Sequence, residues 1–122
     1  MGDSPNVPIH ALFICHYNRK RSATAERVFG KDPSLEVLSA GTSEEAMVQV
    51  NQRMLEWADI LFVMDDEQVR ALGNMFPGHP AVDHVVCLNI ADNYDFLDPE
   101  LVAILKERTM PHLQKLKAGS KP

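Results

Sequence analysis

Short apolar runs separated by helical patterns set the rhythm of this chain. Ile9 to Ile14 lacks clean alternation and predicts a strand buried on both faces, as parallel strands are. The run stops at Cys15; beyond a polar loop, a helix is predicted from about Ser22 to Phe29, with Gly30 as its C-cap. Lys31 to Ser34 turns into a second strand, Leu35 to Ser39, and Ala40 to Ser43 reads as a loop. Met47, Val50, Met54 and Trp57/Ala58 share one face of a helix predicted over Met47 to Ala58. A third strand, Ile60 to Met64, runs into Asp65 and Asp66, good N-caps for a helix through about Met75. After a proline-rich loop, His84 to Ile90 predicts a fourth strand. An acidic loop, Asp92 to Asp98, leads to Pro99, placed after Asp98 as N1 follows an N-cap. The last helix starts there, and Pro111 should kink or split it near Met110. Residues 1–8 and 117–122 read as flexible ends.

The alternation is β-α-β-α-β-α-β-α with short connections, which implies a parallel sheet with helices on both faces. Ligands of such sheets sit beyond the carboxyl ends of the strands. The Cys15 loop, Ser39 to Thr42, Asp65 and Asp92 all follow strands, so all can gather at that edge. A length of 122 residues suits a single domain, residues 1–122. Hydrophobic residues at 45% and charged residues at 24% are ordinary for a soluble globular protein. No apolar stretch approaches the roughly 18–20 residues that span a bilayer, so no membrane partner is expected. The N-terminus lacks the basic and apolar regions of a signal peptide. Two cysteines, Cys15 and Cys87, are too few for a disulfide framework, which together with the plain N-terminus makes the cytoplasm the expected compartment. No Cys/His cluster has metal-ligand spacing, and no metal is expected.

The net charge of −5 argues against a whole-surface nucleic-acid binder. One loop departs from that balance: His16, Arg19, Lys20 and Arg21 crowd together between the first strand and the first helix. Loop amides and the first turn of a helix point at the space they enclose, where the helix dipole favours negative charge. A sulfur at the base of such a cradle is favoured as the thiolate, itself an anion. The guanidinium of Arg21 can fork onto two oxygens of a phosphate. Cys15 beneath a phosphate-shaped nest of residues 16 to 22 therefore suggests phosphoryl transfer to sulfur.

The pattern Cys15, Asn18, Arg21, Ser22, directly after the first strand, resembles the loop of the low-molecular-weight protein tyrosine phosphatase family. Ser39-Ala-Gly-Thr42, the run Ala58 to Asp65, and Asp92-Asn-Tyr94 resemble further segments of that family in the same order. The similarity covers roughly residues 9 to 116. It implies a flavodoxin-like three-layer sandwich whose four-stranded parallel sheet has the order 2-1-3-4. It also implies a two-step reaction without cofactor. Cys15 is the nucleophile, Arg21 and the loop residues His16, Tyr17, Asn18, Arg19, Lys20 and Ser22 hold the phosphate, and Asp92 is the acid and then the base. Ser22 would donate to the thiolate, and Asn18 would take the left-handed conformation, tied to Ser39. Asp95 and Asp98 compete with Asp92 for the acid role.

Two departures bear on the substrate. Tyr17 stands where the family usually has glycine, and Lys20 where a second cysteine often follows the nucleophile. The chain is also shorter than typical members, mainly between Thr42 and Val48. Protein phosphotyrosine is the leading substrate, with inorganic phosphate as product. The alternatives are a nucleotide or RNA terminal phosphate, including a 2′,3′-cyclic one, suggested by Tyr17 as a stacking surface beside Arg19 and Lys20, and a catalytically inactive phosphate-binding module.

Overall fold

The computed structural model describes residues 7–119. Its elements are β1 (Ile9–Cys15), α1 (Arg21–Phe29), β2 (Leu35–Gly41), α2 (Gln52–Trp57), β3 (Ile60–Val63), α3 (Asp66–Met75), a 3₁₀ turn (Pro80–His84), β4 (Val86–Cys87) and α4 (Pro99–Gly119). The four strands form one parallel sheet in the order β2-β1-β3-β4, the order the resemblance implies.

Both faces of the sheet are covered, which is why β1 lacks polar alternation. Ala11, Phe13 and Cys15 pack on one side with Ala25 and Phe29 of α1 and Leu101, Leu105 and Leu113 of α4. Leu12 and Ile14 pack on the other with Leu55 of α2 and Leu72 of α3. Phe13 centres the first layer, its ring 4.8 Å from that of Phe62 and 5.4 Å from that of Phe29. A fully buried side chain of this size contributes roughly 1.5–3 kcal/mol by its removal from water, so this layer fixes β1 and, through it, the position of Cys15.

The second strand runs on to Gly41, two residues into the stretch expected as a loop, because β1 pairs with it as far as Cys15, and three other elements differ more. The second helix begins at Gln52, not Met47, because the chain before it is held by Gly41: the Gly41 amide donates to the Val48 carbonyl, and the Val50 amide to that of Gly41. The Asn51 side chain then caps the helix by accepting from the Met54 amide at 2.9 Å. The fourth strand shrinks to Val86–Cys87, since His84 is taken up in the 3₁₀ turn opened by Pro80, and Asn89 turns left-handed at φ 56°. Cys87 in this strand is partly exposed, its sulfur 3.4 Å from Asn89 Oδ1. The last helix is not split at Pro111. Pro111 lies on its exposed face, where water can serve the carbonyl left without a donor, while Leu105 and Leu113 stay buried on either side.

Of the ends expected to be flexible, residues 1–6 and 120–122 lie outside the described residues. Lys117 belongs to α4, with its ammonium 3.2 Å from Asp32 of the turn after α1. Two hydrogen bonds from Ser34 hold the Asp32 carboxyl below the usual carboxylate range against the opposing effect of burial, with Lys117 adding to them. Among the described residues, no helix is long and apolar enough to cross a membrane.

Candidate active site

The strand-to-helix loop closes at the carboxyl edge of β1. Its carbonyls point outward: those of Cys15, His16 and Tyr17 accept from the amides of Thr42, Ser43 and Met47 in the segment after β2. With these three carbonyls so engaged, the Asn18 amide is directed at the Cys15 sulfur. The first bond of α1 runs from the Thr24 amide to the Lys20 carbonyl, and Lys20 supplies no side-chain cap. No acidic residue occupies the first turn. The Asn18 amide, directed at the Cys15 sulfur, and the positive end of the α1 dipole thus favour an anion at this loop.

Gly41 backs this loop. A Cβ there would lie 2.5 Å from the His16 carbonyl oxygen and 3.0 Å from the Asn18 nitrogen, so any side chain would push the loop out of place. Asn18 takes the left-handed conformation, φ 58°, and its amide donates to Cys15 Sγ at 3.2 Å. Tyr17 does not have a positive φ, so the strain that tyrosine would suffer at a glycine-like position is absent.

The sulfur of Cys15 has a second neighbour, Ser22 Oγ at 3.0 Å. Asn18 Nδ2 donates to both Ser22 Oγ and Ser39 Oγ, each at 2.9 Å. Ser39 in turn donates to Glu26 Oε1 at 2.5 Å. Cys15, Asn18, Ser22 and Ser39 are all buried. The residues singled out in the sequence as nucleophile and supports therefore come together, joined by one that was not, Glu26.

Arg21 is almost fully buried and held from one side. Its Nη1 donates to Asp65 Oδ2 at 2.9 Å and to the Ile90 carbonyl at 2.8 Å. That leaves the Nε–Nη2 edge; Nε is buried and has no hydrogen-bond partner among the described residues. A buried donor left open is costly, and an oxyanion above Cys15 would satisfy it. Asp65 does two jobs, since its Oδ1 also accepts from the Glu67 amide at the start of α3. Burial pulls its carboxyl up, but the hydrogen bond and charge of Arg21 and the helix amides outweigh this and hold it below the usual range. With a depressed folded value, the pair is complete at neutral pH and is lost only as the pH falls through that value.

Asp92, about half exposed, places Oδ1 3.7 Å from Arg21 Nε and lines the same pocket as the sulfur. Its loop is fastened to α1 by the Leu97 amide, which donates to Thr24 Oγ1 at 3.0 Å. Asp98 is occupied as a cap, accepting from the Glu100 amide at 2.8 Å, and Asp95 is exposed away from the pocket. Cys15, Tyr17, Arg19, Lys20, Arg21 and Asp92 line a pocket of about 210 Å³. Arg19 lies over the Tyr17 ring, 5.5 Å from its centroid. The His16 ring meets Tyr17 edge-on at 4.3 Å; its Nδ1 is 3.3 Å from Glu67 Oε1, close enough for an ion pair but not aligned for a hydrogen bond. A larger, more open depression of about 480 Å³ lies at β4 against α4, but there Arg108 spends its guanidinium on the Leu88 and Asn89 carbonyls. Among the described residues, no group of three His, Cys, Asp or Glu gathers as a metal site.

No protein-family model matches the sequence, and no curated protein matches it. Solved structures do resemble it. The arginine phosphatase YwlE from Geobacillus stearothermophilus superposes with a TM-score of 0.71 at 21% identity, over 92% of this chain and 97% of the other. The tyrosine phosphatase Wzb from Escherichia coli K30, solved with phosphate, gives 0.73 at 18% identity, over 90% and 99%. The low molecular weight phosphotyrosine phosphatase VcLMWPTP-2 from Vibrio cholerae gives 0.71 at 17% identity, over 89% and 97%.

The fold is that of the low-molecular-weight phosphatases.

In this phosphatase fold, three signals were hidden from a reading of residue types. Glu26 is an ordinary exposed-looking helix glutamate, Asp65 looks the same whether it only caps or also anchors Arg21, and Gly41 shows its use only against the loop. Spacing offered one hint: Glu26 lies four residues after Ser22, on the same helical face.

Proposed function

We propose that this protein is a cysteine-dependent hydrolase of phosphate monoesters that works through a phosphocysteine. The observation that carries the reading is Cys15 Sγ, with the Asn18 amide and the Ser22 hydroxyl at hydrogen-bond distance, in one pocket with the open edge of Arg21. The thiolate attacks phosphorus in line. The amides and Arg21 hold the equatorial oxygens, whose charge grows along the path, in a geometry that needs no reorganisation. Asp92 gives its proton to the leaving oxygen, then takes one from the water that breaks the phosphorus–sulfur bond. Phosphate leaves, and the thiolate is restored. A nucleophile of this kind requires a reducing compartment, which suits the cytoplasm.

Protein phosphotyrosine is the substrate the pocket suits best. The Tyr17 ring offers a wall for an aromatic leaving group. Arg19 and Lys20 at the mouth oppose a cationic leaving group such as the guanidinium of phosphoarginine. The test is a panel of a phosphotyrosine peptide, a phosphoarginine peptide, and terminal and 2′,3′-cyclic nucleotide phosphates, with acid quenching to trap the phosphoenzyme. The phosphotyrosine peptide should turn over fastest, with label on Cys15. Faster cleavage of the nucleotides would overturn the substrate, and tight binding without turnover would overturn the enzyme reading.

Asp92→Ala should lower kcat for aryl phosphates by roughly 10²-fold, the usual worth of a positioned acid–base group. With a good leaving group the first step survives, so rapid mixing should show a burst of phenol followed by slow phosphate release. An unchanged pH–rate profile would remove Asp92 from the role.

A further inference from the structure

We propose that Glu26 is a positioning residue for the thiolate of Cys15, acting at a distance through Ser39, Asn18 and Ser22. The inference rests on the reading of Cys15 as nucleophile. Its ground is a count of hydrogens along one chain of contacts. Ser39 Oγ lies between Glu26 Oε1 at 2.5 Å and Asn18 Nδ2 at 2.9 Å. A carboxylate can only accept, so the single hydroxyl hydrogen of Ser39 goes to Glu26, and its lone pair faces Asn18. That lone pair selects the Nδ2 side of the Asn18 amide, whose two hydrogens then serve Ser39 and Ser22. Ser22 Oγ must in consequence accept from Asn18, and its own hydrogen is free for Cys15 Sγ at 3.0 Å or the Ala40 carbonyl at 3.3 Å. When the sulfur is ionised, it is the closer and more strongly accepting of the two.

The hydrogens thus run outward from the Asn18 amide, one way through Ser39 to Glu26 and the other through Ser22 to the sulfur, and the acceptor at the Glu26 end fixes that arrangement. Without it, Ser39 can turn its hydrogen toward Asn18, the amide can flip its oxygen toward the serines, and Ser22 can give its hydrogen to that oxygen instead of to sulfur. Glu26 sits one helical turn after Ser22 on the partly exposed flank of α1, away from the pocket. The charged groups that share its grooves are Glu36 of β2 on one side and Arg27 and Lys31, of α1 and the turn after it, on the other. Those around the sulfur are Arg19, Lys20, Arg21 and Asp92 of the pocket and, beside Glu67, His16 of the loop.

The proposal makes a prediction of opposite sign to the simplest electrostatic one. Through space, a glutamate opposes a nearby thiolate, so its removal would favour ionisation of Cys15. Through the hydrogen-bond chain, its removal should disfavour it. The experiment is the rate of iodoacetamide alkylation of Cys15 from about pH 5 to pH 8, together with the ultraviolet absorbance of the thiolate. Wild type, Glu26→Ala, Glu26→Gln, Ser39→Ala and the Glu26→Ala/Ser39→Ala pair are compared. Alanine is a strong helix former, so α1 should tolerate the first change. At mildly acidic pH, Glu26→Ala should slow alkylation by about threefold or more, the worth of one redirected hydrogen bond. Glu26→Gln keeps an oxygen for Ser39 and should restore most of the rate. In the Ser39→Ala background, removal of Glu26 should have no further effect.

Faster or unchanged alkylation in Glu26→Ala, or an equal slowing with and without Ser39, would overturn the proposal. The readout needs no phosphate substrate. A protein that hydrolyses none of the panel but shows this pattern would therefore sink the phosphatase reading and leave the role of Glu26 standing.

Discussion

Cys15→Ser is expected to reduce turnover of an aryl phosphate by roughly 10⁴-fold or more, the scale seen when a nucleophile is removed. A hydroxyl is almost wholly un-ionised at neutral pH, and the groups around this position are hydrogen-bond partners, not a base: the Asn18 amide and the Ser22 hydroxyl. They can settle an anion already formed but cannot take a proton from an alcohol. The cradle of amides is untouched, so the variant should still bind inorganic phosphate, read as a rise in its melting temperature with added phosphate. Retention of more than about a hundredth of the activity would place the nucleophile elsewhere.

Arg21→Lys should cost kcat/KM about 10³-fold while leaving the fold in place. The guanidinium works in two directions at once: Nη1 is committed to Asp65 and the Ile90 carbonyl, and the Nε–Nη2 edge faces the pocket. A single ammonium cannot do both. Attracted to Asp65, whose carboxylate is ionised at neutral pH, a lysine would turn away from the phosphate and leave the growing charge on its oxygens without a planar fork. Steady-state kinetics against near-ultraviolet circular dichroism separates this from unfolding. A loss below about tenfold would mean that the backbone amides alone hold the transition state.

The two variants probe a site whose parts differed in how openly the residues announced them. β1 and the loop were legible because an uninterrupted apolar run ends at a cysteine and is followed by a helix start that carries arginine where the dipole disfavours it. The sheet order followed from the resemblance, and the register of β1 against β2 then brought Ser39 and Gly41 beside the loop. Met47 and Val50 have helical spacing, yet Val48 and Val50 serve as extended chain against Gly41, so the second helix is shorter than its pattern predicts. Tertiary pairing overrode a period that four residues could not secure. Lys117 illustrates the same point at the other end: a polar tail residue reads as frayed until Asp32, far away in the chain, is found beside it. Glu26 was the hardest to see, because a carboxylate in mid-helix is ordinarily a solvated group, and only the partner of Ser39 gives it meaning.

The fastening of the loop has a consequence for how this protein can vary. Its outward carbonyls are gripped by the main-chain amides of Thr42, Ser43 and Met47, not by their side chains. Any residue except proline supplies such an amide, so Ser43 and Met47 are free to drift while the receptor keeps its shape. Gly41, at the end of β2, where even a methyl group collides with the loop, has no such freedom. Divergence is thus permitted along the strap that grips the loop from outside and forbidden at its back wall.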